Sequence, residues 1–429
     1  MKYFYFFTFS LLTLSIHAQE PQELYFPPLN SDVWETTDPA SFNWCETSID
    51  ALYDYLAREQ SKSFMLLKDG KIVLEKYFGN YTQDSVWFWF SAGKSLMAVL
   101  TGIAQAENLL DINDKTSDYL GAAWTSLTPA QEAKITIRNQ LTMTSGVDET
   151  DFFCSSPECL IYKTDAGTRW VYHNGPYSLL RNVIENAAAE NLNLFTNSHI
   201  KEKIGMSGVW VKAGFNSFFV SRARDMARFG LMVQAEGQWN DSPILSDMDY
   251  YKDMINTSQE LNPSYGYLWW LNGKASHITP ESPTSLTGPL TPDAPDDTYT
   301  AAGSQGQFIS ISPQNGMILI RQGAQDDQEL APVNFLNDLW ARIMSLECQI
   351  TATEIPNENN QVVYPQPATK TLTITGPVPD QTQITNLAGR PLNTWTRTKE
   401  IDISGLSPGI YILTVVQDKR LVTHRIIKR

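Results

Sequence analysis

Histidine is scarce in this chain, with five in 429 residues, and no H-x-H or H-E-x-x-H spelling occurs, so a metallohydrolase would lack its clustered ligands. His173, His199 and His277 are accompanied by no G-x-S-x-G elbow within the first 348 residues, which argues against a Ser-His-Asp hydrolase. Basic residues are in deficit: 32 Lys and Arg against 47 Asp and Glu give a formal charge of -15. That balance argues against a nucleic-acid partner, because phosphate contacts need a surplus of cations. Long apolar runs are also few. The one at Tyr3 to Ile16 follows Met1-Lys2 and precedes His17-Ala18-Gln19, the layout of a secretory signal over residues 1–18 with cleavage after Ala18. No later run of about 18 apolar residues exists to form a stable membrane span, and no cysteine at the cleavage point offers a lipid anchor.

Four cysteines are present, Cys45, Cys154, Cys159 and Cys348, and export would permit disulfides. Three pairings are open, as is a set of unpaired buried thiols. The turn-like Ser155-Ser156-Pro157-Glu158 favours a small staple between Cys154 and Cys159, which leaves Cys45 with Cys348. No histidine lies near either pair, so zinc is not expected; nor is any other metal or cofactor.

The length suggests two units, and 42% hydrophobic with 18% charged residues is ordinary for a globular chain. After a Pro-rich lead, Ile49, Leu52, Tyr53 and Leu56 recur at helical spacing, and two strand-like runs flank Lys68-Asp69-Gly70-Lys71, a hairpin signal. From Ser91 the positions Leu96, Met97, Leu100 and Ile103 share one helical face. Strand patterns are expected again at Tyr265 to Trp270, Gln307 to Ser312 and Met317 to Arg321, and a last helix carries Val333, Leu336, Leu339, Trp340 and Ile343. Strands at both ends with helices between them predict an α/β (α+β) fold: one antiparallel sheet flanked by helices with a helical insertion, over residues 20–350. Residues 351–362 read as a polar linker. Residues 363–429 alternate like strands and carry nine Lys and Arg against four Asp and Glu, a net of +5 that leaves -20 for the rest, as expected of a separate small all-β sandwich.

Three elements carry chemistry. Ser91-Ala92-Gly93-Lys94 is an S-x-x-K at a predicted helix start, where three residues span nearly one turn and bring hydroxyl and amine together. The upstream block Trp87-Phe88-Trp89-Phe90 would keep water from the ammonium and favour a neutral, basic lysine. A second S-x-x-K, Ser198 to Lys201, is assigned a helix-surface role. Tyr172-His173-Asn174 is a Y-x-N in which an extended backbone turns Tyr172 and Asn174 to the same side. The third is Ala301-Ala302-Gly303-Ser304-Gln305-Gly306-Gln307, small residues expected to enter a strand whose amides could hold an oxyanion; a turn with a bulge is the plain alternative.

In this order the elements resemble the serine beta-lactamase and penicillin-binding-protein superfamily, whose set is S-x-x-K, [SY]-x-N and a K-T-G-like strand. The resemblance covers about residues 40 to 348. It leans toward the class C-like branch of esterases, D-amino peptidases and 6-aminohexanoate-dimer hydrolases, through Ser91 to Ser95, Ile135 to Arg138, Leu141 to Gly146 and Tyr265 to Trp270. It implies a secreted enzyme cleaving an ester or amide, with Ser91 as nucleophile, Lys94 as general base and Tyr172 as proton relay. Asn174, Ser304, Gln305, Gly306 and Gln307 would bind substrate, and the amides of Ser91 and Gln307 would hold the oxyanion. The third motif departs from the pattern: Ser304 and Gln305 replace its usual first two residues. A serine cannot supply the charge that holds a substrate carboxylate, so neutral ester, amide or peptide-like substrates rank above beta-lactams. Beta-lactamase or D-amino peptidase activity, and an inactive surface binding or sensor protein, are the alternatives.

In the tail, Tyr364 to Ala368, Asn386 to Arg390, Leu406 to Tyr411 and the basic Lys428-Arg429 resemble a type IX secretion C-terminal sorting domain. That implies export through the periplasm to the medium or the cell surface, with the secretion machinery as partner.

Overall fold

The structure, a computed structural model, describes residues 24–214, 216–326, 329–348, 363–387, 389–417 and 420–429. The expected signal segment 1–18 and the expected linker 351–362 lie outside them. The chain divides into two compact units, Met1–Cys348 and Gln349–Arg429. No helix among the described residues is long and apolar enough to cross a membrane.

The first unit opens with helix α1 (Glu46–Arg58), strands β1 (Ser61–Lys68) and β2 (Lys71–Tyr77), a two-residue strand β3 (Trp87–Phe88) and helix α2 (Gly93–Ala106). Asp69 and Gly70, both at positive φ, make the β1–β2 turn. A short helix α3 (Asn174–Ser178), strands β4 (Val209–Ala213) and β5 (Asn216–Ser221) and helix α4 (Ala223–Gln234) belong to the middle of the chain. The unit closes with β6 (Trp270–Leu271), β7 (Tyr299–Gly303), β8 (Gln307–Ser312), β9 (Met317–Gly323) and α5 (Val333–Met344).

Six strands form one antiparallel sheet in the order β2-β1-β9-β8-β7-β6, so segments about 250 residues apart become neighbours, with Ser63 opposite Gln322 and Leu66 opposite Leu319. Adjacent side chains on β8 point to opposite faces, and both meet a helix. Phe308 packs on Phe335 of α5 at 5.7 Å, while a side chain on Gly230 of α4 would lie 3.0 Å from Ile309. Every residue of β8 is therefore buried, including Ser310, whose hydroxyl accepts from Trp340 Nε1 at 3.0 Å. Helix α1 packs against α5, with the Arg342 guanidinium 3.8 Å from the Tyr55 ring centroid. Cys45 and Cys348, just outside these helices, are joined, and Cys154 is joined to Cys159.

One expected strand is absent. Tyr265 to Trp269 is a tight turn with Leu268 at φ 60°, and only Trp270–Leu271 joins the sheet. The aromatic run reads as β from composition, but its amides go to scattered partners: Gly266 to Trp269 O, Tyr267 to Met254 O and Leu268 to Leu141 O.

The tail contains β10 (Val363–Tyr364), β11 (Thr371–Ile374), β12 (Gln381–Thr385), β13 (Pro391–Thr396), β14 (Glu400–Asp402), β15 (Gly409–Gln417) and β16 (Arg420–Lys428). They form a three-stranded sheet, β10-β11-β14, and a four-stranded one, β13-β12-β15-β16. Leu372 and Ile374 of the first share a core with Ile384, Leu413, Val415 and Ile426 of the second. The chain's one G-x-S-x-G spelling, Gly405 to Gly409, is an exposed stretch leading into β15, which shows how little that pattern means away from a strand-to-helix elbow.

Candidate active site

Ser91 sits in a single 3-10 turn, Phe90–Ala92, at the mouth of α2. The turn is held from three sides. Trp89 donates its amide to Phe219 O at 2.9 Å and its indole N–H to Ser221 Oγ at 2.8 Å, and its buried ring packs on Phe219 and Phe229. Phe90 is at φ 45°, an unusual conformation for a residue with a side chain, and the surrounding structure holds it there. Gly303, at the end of β7, is pressed against the same turn: a β-carbon there would lie 2.4 Å from Trp89 O and 3.1 Å from Ser91 N. The close approach requires glycine.

Lys94, the second residue of α2 and nearly one turn on from Ser91, is buried, with Nζ 3.2 Å from Ser91 Oγ and donating to Asn174 Oδ1 at 2.7 Å. The amine also lies 4.2 Å from the Tyr177 ring centroid and 5.1 Å from that of Tyr172. Burial among these rings lowers its pKa from 10.5 to about 7, because the charged form loses its water. A neutral amine there keeps a lone pair for the serine proton.

Tyr172 is stacked between Phe152 and Trp270, with centroids 6.3 and 5.9 Å away. Burial raises its pKa, with the nearby Ser91 hydroxyl opposing, so the phenol keeps its proton at neutral pH. Ser91 is close enough to lower that pKa somewhat, yet the buried Tyr172 hydroxyl makes no aligned hydrogen bond. His173 fixes the segment. Its Nδ1 accepts from Gly175 N at 3.1 Å, which leaves Nε2–H to donate to Asp148 O at 3.0 Å, the neutral tautomer that its burial-lowered pKa also favours. The segment Leu141 to Gly146 braces it further, through Val171 N to Met143 O at 3.0 Å.

The third motif differs from the expectation of residues entering a strand. The strand is Tyr299–Gly303, already finished where Ser304 begins. Ser304 to Gly306 is the turn into β8, because Gln305 and Gly306 take φ of 61° and 76°. Gln307 stands opposite Gly303 in the ladder, and its side chain is tied to Ser304 O and to both backbone groups of Gly323. Within this motif Gly303 is the glycine that lies against the Ser91 backbone. Behind the turn lies Arg321, fully buried, whose guanidinium donates to Gln305 O, Gly306 O, Glu59 O and Ser61 Oγ. Desolvation pulls its pKa to about 9, still a cation at neutral pH, but all of these contacts point into the protein.

Ser91, Lys94, Tyr172 and Asn174 thus converge, while Ser304, Gln305, Gly306 and Gln307 form the adjoining hairpin. Ser198 is elsewhere, bonded to Leu194 O on a helix. Sequence reading gave no individual site role to Gly303, Tyr177, Trp270 or Arg321. Only Gly303 had a visible signal, three small residues in a row before the turn. A separate cavity of about 570 Å³ lies at the other end of α2, lined by Asp111, Arg138, Asp247 and Asp253 among others, away from Ser91.

The family model described as Beta-lactamase matches residues 53–322, the stretch that brings these groups together. The chain belongs to the beta-lactamase family. A second model, a secretion system C-terminal sorting domain, matches residues 362–429, so the tail is a sorting domain of the type IX kind and marks the chain for secretion or cell-surface export. Among solved structures, a Bacillus anthracis protein described as a candidate 6-aminohexanoate-dimer hydrolase is 17% identical with a TM-score of 0.57, covering 75% of this chain and 88% of its own. A candidate beta-lactamase from Bacteroides dorei is 16% identical, TM-score 0.53, over 69% of this chain and 98% of its own. A family VIII carboxylesterase is 15% identical, TM-score 0.52, over 69% and 96%. At these identities the likeness establishes the beta-lactamase fold alone. Among curated proteins none matches the chain closely enough to be named as a relative.

Proposed function

We propose that this beta-lactamase-family protein is a secreted serine hydrolase that cleaves an ester or amide through an acyl-enzyme on Ser91. The observation that carries the reading is the buried Lys94 amine 3.2 Å from Ser91 Oγ, with Asn174 taking one of its N–H bonds. Neutral Lys94 accepts the serine proton as Oγ bonds to the carbonyl carbon. The oxyanion rests on the Ser91 amide and on a backbone amide of the Gly303–Gln307 hairpin, which lies against the Ser91 turn. Tyr172, protonated at neutral pH, passes a proton to the leaving amine or alcohol and recovers one from Lys94. Water then hydrolyses the acyl-enzyme by the reverse relay.

Substrate class follows from charge. Ser304 brings none, and the Arg321 cation is wholly buried against carbonyls, so nothing in this motif offers a substrate carboxylate a cation. Neutral acyl groups fit best.

Mixing the mature chain with nitrophenyl acetate, beside Ser91→Ala, tests the reading by intact-protein mass. An acetyl adduct on the parent alone is expected. Equal masses would overturn it in favour of a binding protein on the same fold.

A further inference from the structure

The small sheet that carries the Ser91 turn has two unlike faces. Strands β3, β5 and β4 pair with Phe88 opposite Val220, Val209 opposite Val220 and Val211 opposite Phe218, and residues directly opposite share a face. The inner face, with Trp210 and Phe219, is buried, and a β-carbon on Gly93 at the start of α2 would lie 3.5 Å from Trp210. The outer face carries Phe88, Val209, Val211, Phe218 and Val220, none of them buried; Val209 is 45% exposed and Val211 40%. Phe90 extends it toward the nucleophile, its ring stacked on Phe88 and edge-on to Phe218, both at 5.7 Å. These six side chains form an uncharged apolar shelf that ends one residue from Ser91.

Contiguous exposed apolar surface signals a binding role, and its extent indicates what binds. A stable protein partner covers about 20–30 residues a side, far more than six. Continuity through Phe90 with Ser91 instead matches one arm of a small substrate. We propose that this shelf seats an extended apolar arm, aryl or alkyl, of the ester or amide whose carbonyl is attacked by Ser91. The inference rests on the proposed acyl-enzyme reading and adds a substrate class to it.

The test is the ratio of kcat/KM for nitrophenyl 4-phenylbutyrate to that for nitrophenyl acetate, measured on the mature full chain. The parent should favour the phenylbutyrate, and the Phe88→Ser/Phe218→Ser variant should lower the ratio about tenfold or more, the worth of a lost apolar contact in a binding pocket. Should that double variant fold poorly, Val211→Ser on the edge strand should lower the ratio by a smaller factor. Val33→Ser, 68% exposed and off this shelf, should leave it unchanged. A ratio that stays at the parent value in both shelf variants overturns the inference. So does sedimentation of the parent with phosphatidylcholine vesicles that those variants lose while the ratio holds, which would make the shelf a lipid contact. The intact-mass measurement with nitrophenyl acetate separates the two levels: no adduct sinks the hydrolase reading itself, whereas an adduct with an unmoved ratio sinks only the shelf.

Discussion

The two units bury very different things. In the tail the core among the described residues is ten apolar side chains, eight of them on the two small sheets, and strands such as Gln381–Thr385 alternate buried with partly exposed positions. In the first unit the central strands are buried on both faces and the interior also takes in Lys94, Asn174, Arg321 and Gln307. Burying such groups is unfavourable unless every one finds partners. The tail, a sorting domain, buries few polar residues, with Thr382 and Lys428 the examples among the described residues. The first unit carries the Lys94 amine inside, where the loss of water around the charged form lowers its pKa to about 7.

The sharpest test of that contrast is Lys94. Lys94→Ala should lower the rate of acylation by about 10³-fold or more, read as the burst amplitude and rate with nitrophenyl acetate, and a near-normal burst would remove its assigned role. In the parent, kcat/KM should rise with pH and level off above about 7, where Lys94 becomes neutral. Stability should also rise with pH, but over a higher range. The folded pKa of about 7 lies below the unfolded value, so between about 7 and 10.5 the unfolded chain binds more protons and the parent grows more stable as pH rises. Lys94→Met should therefore be more stable than the parent at pH 7, by roughly 1–3 kcal/mol, with the gain shrinking toward pH 10 in urea titrations.

Gly303→Ala comes next. Its β-carbon would meet backbone atoms of Trp89, Ala92 and Ser91, which cannot swing aside. A loss of about 100-fold in kcat/KM is expected, of the size seen when oxyanion geometry is spoiled. A variant within twofold of the parent would show that β7 does not set the site.

Replacing Cys45 and Cys348 by Ala opens a link across 303 residues of sequence and should cost about 2–5 kcal/mol in unfolding free energy while kcat under native conditions changes little. The smallest effect belongs to the tail: ending the chain after Cys348 should alter kcat/KM by less than about twofold while abolishing export. A large loss of activity on truncation would break the division of labour.

Much of this was legible beforehand. Period and turn chemistry marked β1, β2, β8, β9 and the helices α1, α2 and α5. Ser91, Lys94, Tyr172 and Asn174 stood out as motifs because their spacing is local: one helical turn in the first pair, two extended residues in the second. Tyr265 to Trp269 misled because an aromatic run has the composition of a strand whether or not its amides enter a ladder. At the third motif the structure shows the turn that stood as the plain alternative, since a run of Ala, Gly and Ser does not say where a strand ends and a turn begins.

The sequence by itself determined the two units, the order of the motifs and the local pairing of hydroxyl with amine, all properties that depend on residues a few positions apart. Only the tertiary structure decided that Gly303 lies against Ser91, that Arg321 latches the neighbouring turn, and that Tyr177 and Tyr172 dehydrate Lys94. The Arg321 contact spans 15 residues, the Lys94 contacts about 80 and the Gly303 contact more than 200, and a lysine's basicity is set by what surrounds it.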